Sequence, residues 1–411
     1  MTFAFFFTLI VLAVLWIAQG GGLSFLFLYI AGNLVYAAQL AVIKANFPNA
    51  LDVIPFELLS SDAVVERLLF WQTYFNVTLL LALAFSKVVR AHILSSLHAL
   101  IYTPRKPQQA VSSTSTLENI ALFIMYSMCY GLALFYPWPN FGEAFTVGHS
   151  VSAWAKIGLS YMIALAGVKA NSRKLMLLAL LTVPLFMLEK SRTTFFHILI
   201  ILIVCNALHG RTLSASYKIA IGTVLFFTFA GVTVLRNDAE VNLLALMYPF
   251  IYEGILGGFS GLQTVSLLDA GHAPSVEILK NWARDFVPTA LELFDSLPLC
   301  ETGRTLHCSI DASGFLNEKF SPMGGHYILA ETPLLFGFAA PFFYFAYVML
   351  FLRIALIFKD PALRVVLVST TFVLIKADIY VGSKFALAIF LVASLLSFLI
   401  KFPYRCLLSK C

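Results

Sequence analysis

Apolar runs of membrane-crossing length recur through this chain, and no water-soluble fold can hide them all. A transmembrane helix needs about 20 mostly apolar residues. On that ruler the sequence predicts about eleven spans, at 2–18, 23–43, 67–86, 118–136, 150–168, 174–188, 193–209, 217–235, 329–352, 362–376 and 382–401. Charged residues make up only 12% of the chain, about half the usual share in soluble proteins. The bilayer is therefore the expected solvent, and helices are the expected spanning element because each satisfies its own backbone. The first run has no basic flank and a second follows at once, so it reads as a helix and not as a cleaved signal peptide.

Between two hydrophobic arrays lies one polar stretch. The chain divides into N-terminal transmembrane helices (1–235), a large loop with interfacial helices (236–328) and C-terminal transmembrane helices (329–411). Lys87, Arg90, Arg105 and Lys106 mark one connection as cytoplasmic, and Lys169, Arg173 and Lys174 another. Arg211 and Lys218, then Arg353, Lys359 and Arg364, then Lys401, Arg405 and Lys410 fall on the same side if the spans alternate. The large loop and the acidic segment 44–66 are then outside, as is the N-terminus. Dispersal of the basic residues among connections leaves no basic face, so nucleic acid is not an expected partner. The stretch 110–116 reads as a flexible linker.

The outer loop has helical character. Leu243–Leu268, with Gly254, Gly257, Gly258 and Gly261, reads as an interfacial or re-entrant helix, and Val276–Leu293 as a helix on the membrane surface. Cys300 and Cys308 are the two cysteines of this loop. In an oxidising compartment they can form a disulfide. A zinc pair with His307 is the alternative, at a spacing wide for a knuckle.

Several charged side chains stand where chemistry is affordable at a membrane face. Spans 174–188 and 193–209 are joined only by Glu189-Lys190-Ser191-Arg192, a tight turn that holds Arg192 at a helix end. Arg236 closes the span 217–235, and Arg284 sits in the surface helix. A guanidinium fork matches phosphate oxygens, so the three could bind a diphosphate. Each has a structural alternative: Arg192 snorkelling beside Glu189, Arg236 paired with Asp238, and Arg284 paired with Asp285 or Glu277. His326 follows Gly324-Gly325 and Glu331 comes soon after, at the mouth of the next span. A neutral histidine there can accept a proton from a hydroxyl, with Glu331 supporting it. Its alternative is an interfacial histidine at a helix start. Glu253 can line the loop, and Lys376, Asp378 and Lys384 read as anchors. No nucleotide-binding fingerprint and no carboxylate cluster with divalent-metal spacing is present, so neither a cofactor nor a metal is expected.

The order of these features resembles the bacterial O-antigen or oligosaccharide repeat-unit polymerases (Wzy-type), which are related to the O-antigen ligases. The resemblance rests on Lys190-Ser191-Arg192 opening a span, the large loop, and Gly324-Gly325-His326 leading to Phe336-Gly337, over about residues 185–350. His326 and Gly337 also fit the ligases' His-x10-Gly spacing. The ligases' Arg-x3-Leu motif is missing, since Phe196, Glu240 and Pro288 follow Arg192, Arg236 and Arg284 at that distance. That departure favours the polymerase.

The resemblance implies an all-α integral membrane protein like the GT-C-type lipid-sugar glycosyltransferases, in the bacterial inner membrane with its active site facing the periplasm. It implies a metal-independent enzyme that polymerises undecaprenyl-diphosphate-linked repeat units into O-antigen, the polysaccharide of lipopolysaccharide, or a related surface polysaccharide. Donor and acceptor oligosaccharides, membrane lipids and a chain-length regulator would be its partners. Arg192, Arg236 and Arg284 would hold the diphosphate. His326 would deprotonate the acceptor hydroxyl, Glu331 would position His326, and displacement would invert the anomeric centre. A ligase acting on lipid A-core, and a polysaccharide exporter or flippase, remain as alternatives.

Overall fold

The computed structural model describes residues 1–46, 62–101, 116–135, 147–169, 172–189, 192–208, 332–333, 335–358, 360–372 and 387–399. It also describes single positions at 223, 227, 261, 262, 264–266, 268 and 375. The described residues are almost entirely helical. In chain order they form α1 (Thr2–Ala18), α2 (Phe25–Asn33), a π-helical turn (Leu34–Ala38), α3 (Gln39–Asn46), α4 (Asp62–Phe85), α5 (Lys87–Ile93) and α6 (Leu97–Ile101). There follow α7 (Thr116–Phe135), α8 (Val147–Val168), α9 (Ser172–Glu189) and α10 (Arg192–Leu208). After the large loop come a 3₁₀ turn (Gly337–Ala339), α11 (Ala340–Ile357), α12 (Pro361–Ser369) with a 3₁₀ turn (Thr370–Phe372), and α13 (Leu387–Leu399).

By length and composition, Phe25–Val42, Ala63–Phe85 and Gly337–Ile357 can each cross a membrane among the described residues. Shorter apolar helices flank them, including Thr2–Ala18, Asn119–Phe135 and Trp154–Val168. Large apolar side chains are exposed as well as buried. On α1, Phe3, Phe7, Ile10, Val14 and Ile17 form an exposed stripe, while Phe5, Leu9 and Leu12 are buried. A helix that is hydrophobic all round belongs in lipid. Exposed Phe123, Met128 and Phe135 on α7, and Phe342, Leu350 and Ile357 on α11, continue that surface. This is an all-α membrane protein.

Two buried clusters organise the helices. One gathers α1, α2, α4 and α11 around Phe25, Tyr29, Phe75 and Tyr344. The other gathers α7, α9, α10, α12 and α13 around α8. Every residue of α8 from Ala155 to Gly167 is buried. Close approach is possible because α8 carries glycines at the contacts. A Cβ on Gly158 would meet Cys129 Sγ at 2.7 Å, and one on Gly167 would meet Cys205 Sγ at 2.5 Å. Small residues at such contacts are the usual means by which helices associate in lipid, where apolar burial supplies no drive.

Local chemistry fixes the ends. Ser86 caps α5 by accepting from Val89 N at 3.2 Å, and Arg90 donates to the last carbonyls of α4, Leu83 O and Ala84 O, at 2.9 and 2.8 Å. The glycine turn after α1 adopts left-handed φ at Gly20 and Gly21, and Trp16 Nε1 closes it on Gly22 O at 2.8 Å. Leu97 N then donates to Leu23 O at 2.7 Å, so this turn and the start of α6 lie at the α5 end of the bundle. At the opposite end Glu66 accepts from the N-terminal ammonium at 2.9 Å and from Thr2 Oγ1 at 2.8 Å.

Where the structure describes the predicted spans, most coincide to within a few residues. Three differ. The span predicted at 329–352 becomes a membrane-length helix at Gly337–Ile357. Gly337 has φ +50, which breaks the helical path before it, and Pro341 in the first turn of α11 favours a new start. The run 23–43 is interrupted by the π-helical turn. The run 362–376 leaves α geometry after Ser369. The span predicted at 217–235 is described only at Thr223 and Phe227, and the large loop only at isolated positions from Gly261 to Leu268.

Candidate functional site

Of the residues singled out from sequence, Arg192 is the one whose place is described. It is the first residue of α10, three positions after α9 ends at Glu189. Arg236, Arg284, His326, Glu331, Cys300, Cys308 and Glu253 lie outside the described residues. The described residues form the helical wall of the bundle.

That wall contains a polar layer in its interior. Ser152, Lys156 and Ser160 recur every fourth residue along α8 and share one face, and all three are buried. An ammonium at the centre of a membrane helix costs about 2.5–3.5 kcal/mol on insertion scales, and ionisable residues there default to functional candidates. One turn beyond Lys156, Ser160 Oγ lies 3.4 Å from His197 Nδ1 of α10. His197 Nε2 lies 3.1 Å from Val366 O of α12. A carbonyl only accepts, so Nε2 carries the proton and Nδ1 accepts from Ser160. The imidazole thus joins α8, α10 and α12 as a neutral bridge, and both of its nitrogens are engaged.

These contacts set the register of the three helices. Ser160 faces His197 and Gly167 faces Cys205, so α8 and α10 run in the same direction. Helix α12 runs against them. Its cap, Asp360, follows α11, whose far end packs on α5, whereas α11 begins near Tyr74, which donates to Phe338 O at 2.9 Å. At about 1.5 Å of rise per residue, Lys156 lies about 6 Å from the Ser160–His197 level, Ser369 about 4.5 Å and position 192 about 7.5 Å, all on the side away from α5.

The ends of α12 are polar in different ways. Asp360 Oδ1 accepts from Ala362 N at 2.9 Å and Leu363 N at 3.4 Å, and Oδ2 accepts from Tyr161 Oη at 3.0 Å and Ser397 Oγ at 2.7 Å. One carboxylate therefore caps α12 and ties it to α8 and α13. At the other end, Thr370 and Thr371 spend their hydroxyls on Leu367 O and Val368 O, each at 2.6 Å. Ser369 is equally buried, yet its Oγ has no hydrogen-bond partner among the described residues.

A second polar group sits in the other cluster. Tyr29 Oη donates to Asn76 Oδ1 at 2.9 Å, and Asn76 Nδ2 donates to Thr8 Oγ1 at 3.1 Å, linking α2, α4 and α1. Asn33 Nδ2 donates to Tyr29 O at 3.0 Å, while its Oδ1, just before the π-helical turn, has no hydrogen-bond partner among the described residues.

Compared with protein-family models, curated proteins and solved structures, the chain matches none. Sequence reading missed Lys156 and His197. The signal was there: a four-residue polar period, Ser152, Lys156 and Ser160, inside an otherwise apolar span. It was hidden because length and mean apolarity alone defined the spans.

Proposed function

We propose that this protein is a membrane glycosyltransferase that polymerises undecaprenyl-diphosphate-linked oligosaccharide units at the periplasmic face of the bacterial inner membrane. It crosses the bilayer about eleven times on the hydropathy ruler, in the manner of the GT-C-type enzymes. The acceptor hydroxyl oxygen attacks the anomeric carbon of the donor sugar. The C1–O bond to the diphosphate breaks, and undecaprenyl diphosphate leaves. His326 takes the acceptor's proton and Glu331 orients His326. Arg192, Arg236 and Arg284 stabilise the charge that develops on the departing diphosphate.

The observation that carries this reading is the position of Arg192. It opens α10, three positions after α9 ends, at the end of the bundle remote from α5. On the basic-connection pattern that end faces the periplasm, the side to which the loop 236–328 also belongs. Exposed apolar stripes on α1, α7 and α11 support delivery of a polyprenyl substrate through the lipid phase.

A second reading, O-antigen ligase, is favoured by the His326-to-Gly337 spacing and by the left-handed Gly337 that begins the helix behind it. Turnover of a defined undecaprenyl-diphosphate oligosaccharide by the purified full-length protein separates them. A ladder of lipid-linked multimers from that single substrate is the expected result. Product formed only when lipid A-core is added overturns polymerase in favour of ligase. No transfer to either acceptor, with lipid-linked units stranded on the cytoplasmic leaflet of a deletion strain, overturns both in favour of an exporter.

A further inference from the structure

Helix α4 has the length to cross a membrane and ends at Phe85. Ser86 is extended and α5 starts directly beyond it, so α5 lies where the apolar span stops. Phe70, Val77, Leu81 and Phe85 share one exposed face of α4, and Phe85 at its end is 86% exposed. That apolar face leads to two cations. Lys87 and Arg90 are exposed and three residues apart on α5, hence neighbours on its surface. Arg90 is held in place, because its guanidinium spends two of its five N–H groups on Leu83 O and Ala84 O. Lys87 makes no hydrogen bond or ion pair among the described residues. Like charges on neighbouring turns of a helix destabilise it. The surrounding sequence offers no carboxylate to relieve them, since no Asp or Glu occurs between Glu66 and Glu118.

We propose that Lys87 and Arg90 bind the headgroup of an anionic phospholipid whose acyl chains lie along Val77, Leu81 and Phe85 of α4. Basic residues just beyond a membrane-crossing helix attract negatively charged headgroups. The exposed Phe85 and Val88 beside the cations suit a ligand that brings chains with its charge, and a free phosphate would leave them uncovered. A zwitterionic lipid carries its own ammonium next to the phosphate, so it competes poorly for the pair. The platform is fixed on both sides. Val89, Ile93 and Leu94 pack into the cluster of α1, α2, α4 and α11, while Leu97 and Ile101 of α6 pack into the cluster around α8. Helices α5 and α6 thus strap the two clusters together, and the headgroup site sits on that strap. It is separate from the transfer reaction and does not depend on it.

The test uses the full-length protein in detergent micelles, titrated with phosphatidylglycerol, with phosphatidylcholine of the same chains, and with glycerol phosphate. Native mass spectrometry reads the affinity of the first lipid bound. Phosphatidylglycerol is expected to bind best. Each basic residue near a charged membrane surface is worth about a factor of five. Lys87→Gln should therefore weaken phosphatidylglycerol about fivefold and leave phosphatidylcholine unchanged. Lys87→Arg, which keeps the charge, should stay within about twofold. The double variant Lys87→Gln with Arg90→Gln should lose about twentyfold or more.

Equal affinity of the wild type for the two lipids overturns the proposal. So does a preference for phosphatidylglycerol that Lys87→Gln leaves intact, because the anionic lipid then binds elsewhere. Equal loss of both lipids in Lys87→Gln marks the lysine as structural and overturns the headgroup site. Glycerol phosphate binding as tightly as phosphatidylglycerol overturns a lipid occupant in favour of a soluble phosphate. Arg90 also closes the end of α4, so the double variant can fail to fold. Lys87→Gln, which removes no hydrogen bond among the described residues, then decides alone.

Discussion

Tyr161 of α8 donates its hydroxyl to Asp360 at 3.0 Å, and the same carboxylate accepts from Ser397 at 2.7 Å while capping α12. Hydrogen bonds to a charged group contribute about 1.5–3 kcal/mol each. Asp360→Ala should therefore destabilise the protein by about 3–5 kcal/mol, and Tyr161→Phe by about 1.5–3 kcal/mol. Asp360→Asn keeps an acceptor for the cap but loses the charge, and should fall between them. Unfolding in mixed micelles measures all three, and equal midpoints for Asp360→Ala and wild type would refute the tie.

The α7–α8 contact should show rescue. Alanine at Gly158 places a Cβ 2.7 Å from Cys129 Sγ and 3.1 Å from Leu396 Cδ1. Overpacking of this kind costs about 1–3 kcal/mol. Cys129→Ala removes the sulfur and leaves the Cys129 Cβ position at 3.7 Å and the flexible end of Leu396 at 3.1 Å. The double variant should recover most of the midpoint lost by Gly158→Ala, as a thermal scan in one detergent would record.

His197 should matter much more than its partner serine. Its ring is buried against three helices, and both nitrogens are engaged. Truncation to alanine combines a cavity with lost hydrogen bonds, about 3–5 kcal/mol together. The Ser160 contact is long at 3.4 Å, so Ser160→Ala should cost under about 1 kcal/mol. Similar losses in the two variants would show the serine to be the stronger partner.

Arg192→Lys and His326→Ala probe the chemistry. Lysine keeps the charge at 192 but not the fork that holds two phosphate oxygens, so polymer yield should drop despite normal protein levels. His326→Ala should lower turnover by about 10²–10⁴-fold, the usual contribution of a general base. His326→Gln can hydrogen-bond but cannot take a proton. Full activity in Gln, with loss in Ala, would move the proton to another group such as Glu331.

Cys300 and Cys308 should resist a membrane-impermeant maleimide until reductant is added, as a disulfide in an oxidising compartment requires. Labelling of both thiols in untreated cells would contradict the pairing.

The helical wall was largely legible in the sequence because lipid imposes one rule on every span: enough apolar residues to cross. That rule located Thr2–Ala18 to the residue, and it put the break between α9 and α10 within one residue of their ends at Glu189 and Arg192. It failed where backbone geometry changes without a change in apolarity. Nothing in the hydropathy of Leu34–Ala38 or of Thr370–Phe372 announces a π-helical or 3₁₀ turn. Gly337 fits a motif spacing, yet its left-handed φ is what moves the start of α11. Lys156 escaped because one charge scarcely lowers the mean of a long apolar window. The depth it shares with Ser369 depends on how α8, α10 and α12 pack, which no single segment encodes.

The π-helical turn at Leu34–Ala38 has a consequence for how this chain tolerates change in length. Tyr36, Ala37 and Ala38 are buried in succession, which a straight α-helix with a single inward stripe does not favour. One surplus residue is looped into that turn, and the helix beyond it is phased as though the residue were not there. Loss of a single codon between 34 and 38 would let the turn relax to ordinary α geometry, with α3 keeping its inward face. The same loss within α8, where every position from Ala155 to Gly167 is enclosed, has no slack to draw on. Between Lys156 and Ser160 it would swing Ser152 and Lys156 about 100° away from Ser160 and His197.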